Sequence, residues 1–310
     1  MLMHAAKSRA RIAQEVVTLC FTILLLTIFL FGFGSEGYSQ IMQAKFSIYL
    51  WLCVIYILTM FGIAVYRLVC KDILWPEPGG ILSLCRSVGY IEKFSVLYLL
   101  LTWISAIFSP YWPRTVVGVS RYEGALTISL YVISFLLIAS FGKPMKIQLW
   151  VMGTMLIFFC AICFVQISGG NPLGLYPKGL SYFDAGIKYS GAYLGTIGNV
   201  DLVAAFLSLC VPVLLIALFE FPGRFRFFLL IPLAMCIYLL IRMHVLSGYL
   251  GVGAGCIIAV PISLLRKSKY RKLFILCLLI LVALVVLLLY FVDLGGELPH
   301  ELHQMLRGNF

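Results

Sequence analysis

Long apolar runs separated by short polar breaks set the pattern of this chain. Runs near residues 16–33, 47–69, 94–109, 124–142, 147–168, 200–219, 227–241, 245–265 and 273–292 each read as a membrane-crossing helix. A run of about 18 or more apolar residues is long enough to cross the hydrocarbon core. The expected fold is therefore all-α: a polytopic helical membrane protein with about nine spans. The break at Arg242–His244 reads either as a boundary between two spans or as a kink in one long run. Residues 1–310 read as a single transmembrane domain without a linker. The N-terminal basic residues followed by residues 16–33 look like a signal peptide. However, Gly32-Phe33-Gly34-Ser35 is a poor cleavage site, so a retained first span is expected.

Charge orients the bundle. With the N-terminus in the cytoplasm, sixteen of the 23 Lys and Arg residues fall on that side, among them Arg9, Arg11, Arg67, Lys143, Lys146 and the run Arg266–Lys272. The other seven are Lys45, Arg114, Arg121, Lys178, Lys188, Arg242 and Arg307. Basic loops remain in the cytoplasm, so this asymmetry supports the assignment. It also accounts for the net charge of +11 through topology and anionic lipid headgroups. No nucleic-acid-binding motif is present, and nucleic acid is not an expected partner. Cytoplasmic connections are short, apart from residues 70–93 with the turn cluster Pro76–Gly80. The outer segments 110–123 and 169–199 exceed what a connection needs. Loops of that length often carry function.

Cysteine chemistry adds little. Eight of the ten cysteines lie in spans. Cys160 and Cys163 form a CxxC inside a span with no second pair, so buried small hydrophobes are expected rather than a zinc site. His300 and His303 are three apart on a short C-terminal helix, without carboxylates at metal spacing. Ser247, Gly251 and Gly255 repeat small residues every fourth position, a pattern that lets helices approach closely.

Two polar turns open outer-face helices. Gly195-Thr196-Ile197-Gly198-Asn199-Val200-Asp201 leads directly into an apolar run, with Asn199 as a candidate N-cap. A helix start exposes N–H donors and partial positive charge, so Gly198 and Asn199 are candidates to hold an anion. Asp201 fits either a base or a carboxylate that complements the helix dipole. In Arg121-Tyr122-Glu123-Gly124, Arg121 fits a phosphate grip or a snorkelling anchor. Glu123 fits an orienting partner for that Arg or a base towards a sugar hydroxyl. Arg242 fits a phosphate ligand or a headgroup anchor. Arg121, Asn199 and Arg242 are expected to converge on one outward-facing cavity.

The order of these motifs resembles the O-antigen ligase and O-antigen polymerase family of bacterial membrane glycosyltransferases. The likeness spans roughly residues 95–310, with 92–292 the most family-like membrane portion and Gly195–Asp201 its most specific part. It implies a bacterial cytoplasmic-membrane enzyme that transfers or polymerises an undecaprenyl-diphosphate-linked glycan on the outer face. The acceptor would be a glycan or lipid, and no nucleotide, metal or other cofactor would be required. It further implies that outer-face Arg residues grip the diphosphate and that a late outer loop supplies more catalytic groups. Where the family carries Ser-Arg, this chain reads Ser247-Gly248, with Arg242 as the nearby cation. Residues 293–310 read as the start of that late loop, so the chain is expected to be an incomplete and inactive portion of such an enzyme. A polysaccharide transporter or flippase and a non-catalytic membrane protein are the alternatives.

Overall fold

The computed structural model describes residues 2–69, 89–119, 121–184, 191–220, 223–265, 271–292 and 297–308. The turn cluster Pro76–Gly80, Lys188, the Arg266–Tyr270 part of the basic run and the terminal Asn309–Phe310 lie outside these residues.

Helices form wherever the sequence is continuously apolar, because lipid offers no hydrogen bonds and each segment must satisfy its own backbone. In order they are α1 (Leu2–Leu24, continued by a π-helical turn Leu25–Phe29), α2 (Ile41–Val69), α3 (Tyr90–Ile107), α4 (Trp112–Val117), α5 (Ala125–Phe141) and α6 (Lys146–Ile167). A two-residue hairpin, β1 (Tyr193–Leu194) and β2 (Gly198–Asn199), leads into α7 (Val200–Glu220). There follow α8 (Leu230–Met243), α9 (Leu246–Ala254), a π-helical turn (Gly255–Ala259), α10 (Val260–Leu264), α11 (Arg271–Phe291) and α12 (Glu297–Leu306). Seven helices among the described residues are long and apolar enough to cross a membrane, and α5 is a shorter apolar helix. The chain is an all-α, multi-pass membrane protein. The Arg242–His244 break is a true boundary: α8 stops at Met243, and His244 takes a left-handed conformation with φ 54°.

The chain divides into two compact units, Met1–Val203 and Ala204–Phe310. In the first, α1, α2, α5 and α6 pack side by side. A buried polar seam joins three of them: Thr18 Oγ1 meets Tyr56 Oη at 3.0 Å, and Cys53 Sγ meets Ser134 Oγ at 3.5 Å. Phe21 stacks on Tyr56 with ring centroids 4.1 Å apart. α3 is peripheral. Only 6% of its apolar window is buried, against 39% for α6, and Trp103 Nε1 donates to Ser129 Oγ of α5.

Contacts at the two ends of this unit fix the helix directions. At one end Arg67 donates to Gln14, and Arg11 donates to the Ser140 carbonyl, so α2 and α5 both run antiparallel to α1. At the other end, Gln166 of α6 meets Tyr38, just ahead of α2. Leu175, Gly195 and the Arg121 turn belong to this second end. In the Ala204–Phe310 unit, α9 packs on α7 through glycines. A Cβ on Gly248 would meet Ala204 and Leu240, one on Gly251 would meet Ser208, and one on Gly255 would meet Pro212. Ser247, expected in this stripe, is exposed. Gly248 makes the close approach instead.

Candidate functional site

The Gly195–Asp201 motif is a tight, buried hairpin rather than an open flexible turn. Tyr193 pairs with Asn199 and Leu194 with Gly198, leaving Gly195-Thr196-Ile197 as the loop. Gly195 has φ 61° and Gly198 φ 107°, conformations that glycine adopts without strain. Space imposes the same requirement at Gly195, where a Cβ would stand 2.8 Å from the Phe159 ring and 2.9 Å from Cys163 Sγ.

A ring of hydrogen bonds locks the loop. Gln166 is fully buried; its Oε1 accepts from Gly195 N–H at 2.7 Å, and its Nε2 donates to Tyr38 Oη at 2.9 Å. Tyr38 Oη then donates to the Gly195 carbonyl at 2.7 Å. Thr196, also fully buried, donates to the Leu30 carbonyl at 2.6 Å. Lys45 Nζ donates to the carbonyls of Phe29 and Leu30 at 2.6 and 2.7 Å, so the end of α1 is capped by an ammonium from α2. Beneath the hairpin, Tyr176 Oη donates to the Tyr193 carbonyl at 2.6 Å. Burial pushes the Tyr176 phenol well above its ordinary pKa, which keeps it a proton donor.

Asn199 caps α7: its Oδ1 accepts from the Asp201 N–H at 2.7 Å, while the Val200 N–H donates to the Ala192 carbonyl at 3.0 Å. Two of the four free N–H groups of this helix start are thereby taken by the protein itself. The open anion cradle expected here is correspondingly reduced.

Arg121 approaches from another element. Tyr122 has φ 55°, a left-handed conformation that costs a non-glycine residue about 1–2 kcal/mol. Its ring stacks on Phe46 of α2, with centroids 4.7 Å apart and planes 10° from parallel. The Thr127 hydroxyl donates to the Tyr122 carbonyl at 2.5 Å. This anchored, left-handed residue sits between Arg121 and Glu123. Arg121 reaches a cavity of about 300 Å³ lined by Met42, Arg121, Tyr193, Asn199, Asp201 and Leu202. Glu123 does not line it. Among the described residues Arg121 makes no ion pair, although Asp201 shares the cavity wall.

The fold thus brings together three of the residues singled out from sequence, Arg121, Asn199 and Asp201. Gly198 is buried, a Cβ there would stand 3.1 Å from Ile41, and it does not line the cavity. Arg242 belongs to the Ala204–Phe310 unit, exposed in the last turn of α8. Sequence reasoning missed Tyr38, Lys45, Gln166, Tyr176 and Tyr193. Only Gln166 carried a signal, as a polar residue inside an apolar run, where such groups need partners.

Cys160 and Cys163 are fully buried in α6, and no cluster of metal-ligating side chains occurs among the described residues. No protein-family model matches the chain, and no significant match is found among characterised proteins or solved structures.

Proposed function

We propose that this chain is a membrane glycosyltransferase of the O-antigen ligase or polymerase kind, working at the outer face of a bacterial cytoplasmic membrane. The observation that carries the reading is the cavity at one end of the first unit. It combines a cation (Arg121), a carboxylate (Asp201), an amide (Asn199) and an aromatic ring (Tyr193) with apolar Met42 and Leu202. A lipid-diphosphate-linked glycan presents matching chemistry: an anionic diphosphate, sugar hydroxyls and an apolar tail.

The reaction is attack of an acceptor hydroxyl oxygen on the anomeric carbon. The new C–O bond forms as the bond to the diphosphate oxygen breaks, and the acceptor proton passes to a carboxylate. Arg121 neutralises the charge that develops on the departing diphosphate, through paired N–H donors. Asp201 is the better candidate for the base, because it lines the cavity and Glu123 does not.

The test is transfer from a purified lipid-diphosphate glycan to acceptor glycans, in proteoliposomes, by the protein together with the late outer loop that the resemblance implies. Arg121→Ala should lower transfer by about 100-fold or more, the scale of losing one group that stabilises transition-state charge, while membrane insertion is unchanged. Unchanged transfer would make Arg121 a headgroup anchor.

Two features of the second unit, the π-helical turn Gly255–Ala259 and Pro212 inside α7, where a backbone N–H is missing from the helical ladder, favour a transporter as the second reading, because transporters use interrupted helices. Movement of a fluorescent lipid-linked glycan across proteoliposomes without transfer would select it.

A further inference from the structure

The opposite end of the first unit holds a cation cluster that plays no part in this chemistry. Glu15 of α1 receives two cations: Arg11 Nε at 3.3 Å and Lys143 Nζ at 2.6 Å. One residue earlier on α1, Gln14 Oε1 accepts from Arg67 Nη1 at 3.1 Å. Three cations from α1, α2 and the α5–α6 turn therefore gather at this end, and two of them share its one carboxylate. Arg67 carries five N–H donors, and among the described residues Gln14 is its one acceptor, with Nε enclosed and unpaired. Arg11 also donates to the Ser140 carbonyl at 3.2 Å and covers the Phe141 ring at 5.1 Å. Lys143 is 63% exposed. The neighbouring surface is apolar, with Tyr66, Leu68, Val69, Ile147 and Trp150 exposed.

We propose that this end is a binding site for an acidic phospholipid, with the headgroup phosphate held by Arg11, Arg67 and Lys143. Excess positive charge, unfilled guanidinium donors and an adjoining apolar surface fit a group that brings both an anion and acyl chains. A zwitterionic headgroup leaves the charge excess in place, so the site selects a net negative lipid. It is the same end at which basic residues predict the cytoplasmic leaflet, where acidic lipids act on juxtamembrane cations.

The experiment compares the full chain in nanodiscs of pure phosphatidylcholine with nanodiscs containing phosphatidylglycerol, counting retained lipids by native mass spectrometry and following unfolding. Phosphatidylglycerol should be retained preferentially and should raise the unfolding midpoint. Arg67→Gln and Lys143→Gln should each weaken that preference about fivefold, the equivalent of about 1 kcal/mol per cation at an anionic surface. Arg67→Lys should keep most of it. Lys178→Gln, at the opposite end, should change nothing. Because each variant is referred to its own behaviour in phosphatidylcholine, general destabilisation cancels. Equal retention of the two lipids, an unchanged preference in both Gln variants, or equal protection by inorganic phosphate alone would overturn the proposal.

Discussion

Replacing Gln166 by Leu tests whether the hairpin is a rigid platform. The substitution keeps most of the side-chain volume and deletes two buried hydrogen bonds, to Gly195 N–H and to Tyr38 Oη. Each bond contributes about 0.5–1.5 kcal/mol net, and leaving the Gly195 N–H buried without an acceptor adds about 1–3 kcal/mol. Side-chain hydrogen bonds within membrane bundles average nearer about 0.6 kcal/mol, because the unfolded chain in the bilayer also finds partners. Full burial and the closed ring with Tyr38 argue for a larger value here, and a loss of about 2–3 kcal/mol is expected. The assay is reversible unfolding in mixed detergent micelles, followed by circular dichroism. Tyr38→Phe breaks the same ring from its other corner. Residues in one network couple by about 0.5–3 kcal/mol, so the double variant should lose clearly less than the sum of the two singles. Losses of about 0.6 kcal/mol or less that simply add would refute the idea that the ring acts as a unit.

Gly195→Ala should destabilise by about 2 kcal/mol or more. It adds left-handed backbone strain of about 1–2 kcal/mol to crowding on Phe159 and Cys163. Gly191→Ala, with φ 57° but open space around it, should show the backbone part alone in the same unfolding assay. In the transfer assay, Asp201→Asn should reduce turnover far more than Glu123→Gln; the reverse order would move the base out of the cavity. A single cysteine at position 178 should react with an impermeant thiol reagent in intact cells, and one at position 143 only in inside-out vesicles. Labelling of position 143 from outside would invert the topology.

Much of the membrane architecture was legible in the sequence, because hydrocarbon imposes a length and an apolarity that any spanning helix must meet. The cap at Asn199 was legible for an equally local reason, because it depends on backbone groups within a few residues; the break at Arg242–His244 was legible only as a break, with boundary or kink left to the structure. The hairpin was not. Gly195–Gly198 reads as a flexible turn until Gln166, Tyr38 and Leu30, between 29 and 166 residues away in the chain, supply its hydrogen bonds. The candidate site shows the same division. Arg121, Asn199 and Asp201 were recognisable as polar groups at helix starts, but their meeting around one cavity depends on how α2, α5 and α7 pack. Glu123 carried the same local credentials as Arg121, two residues away. Between them Tyr122 takes a left-handed turn and stacks on Phe46, and of the two only Arg121 lines the cavity. Periodicity and charge thus determine which segments enter the membrane. Long-range hydrogen bonds and steric fit, invisible to any local pattern, decide which polar residues share a site.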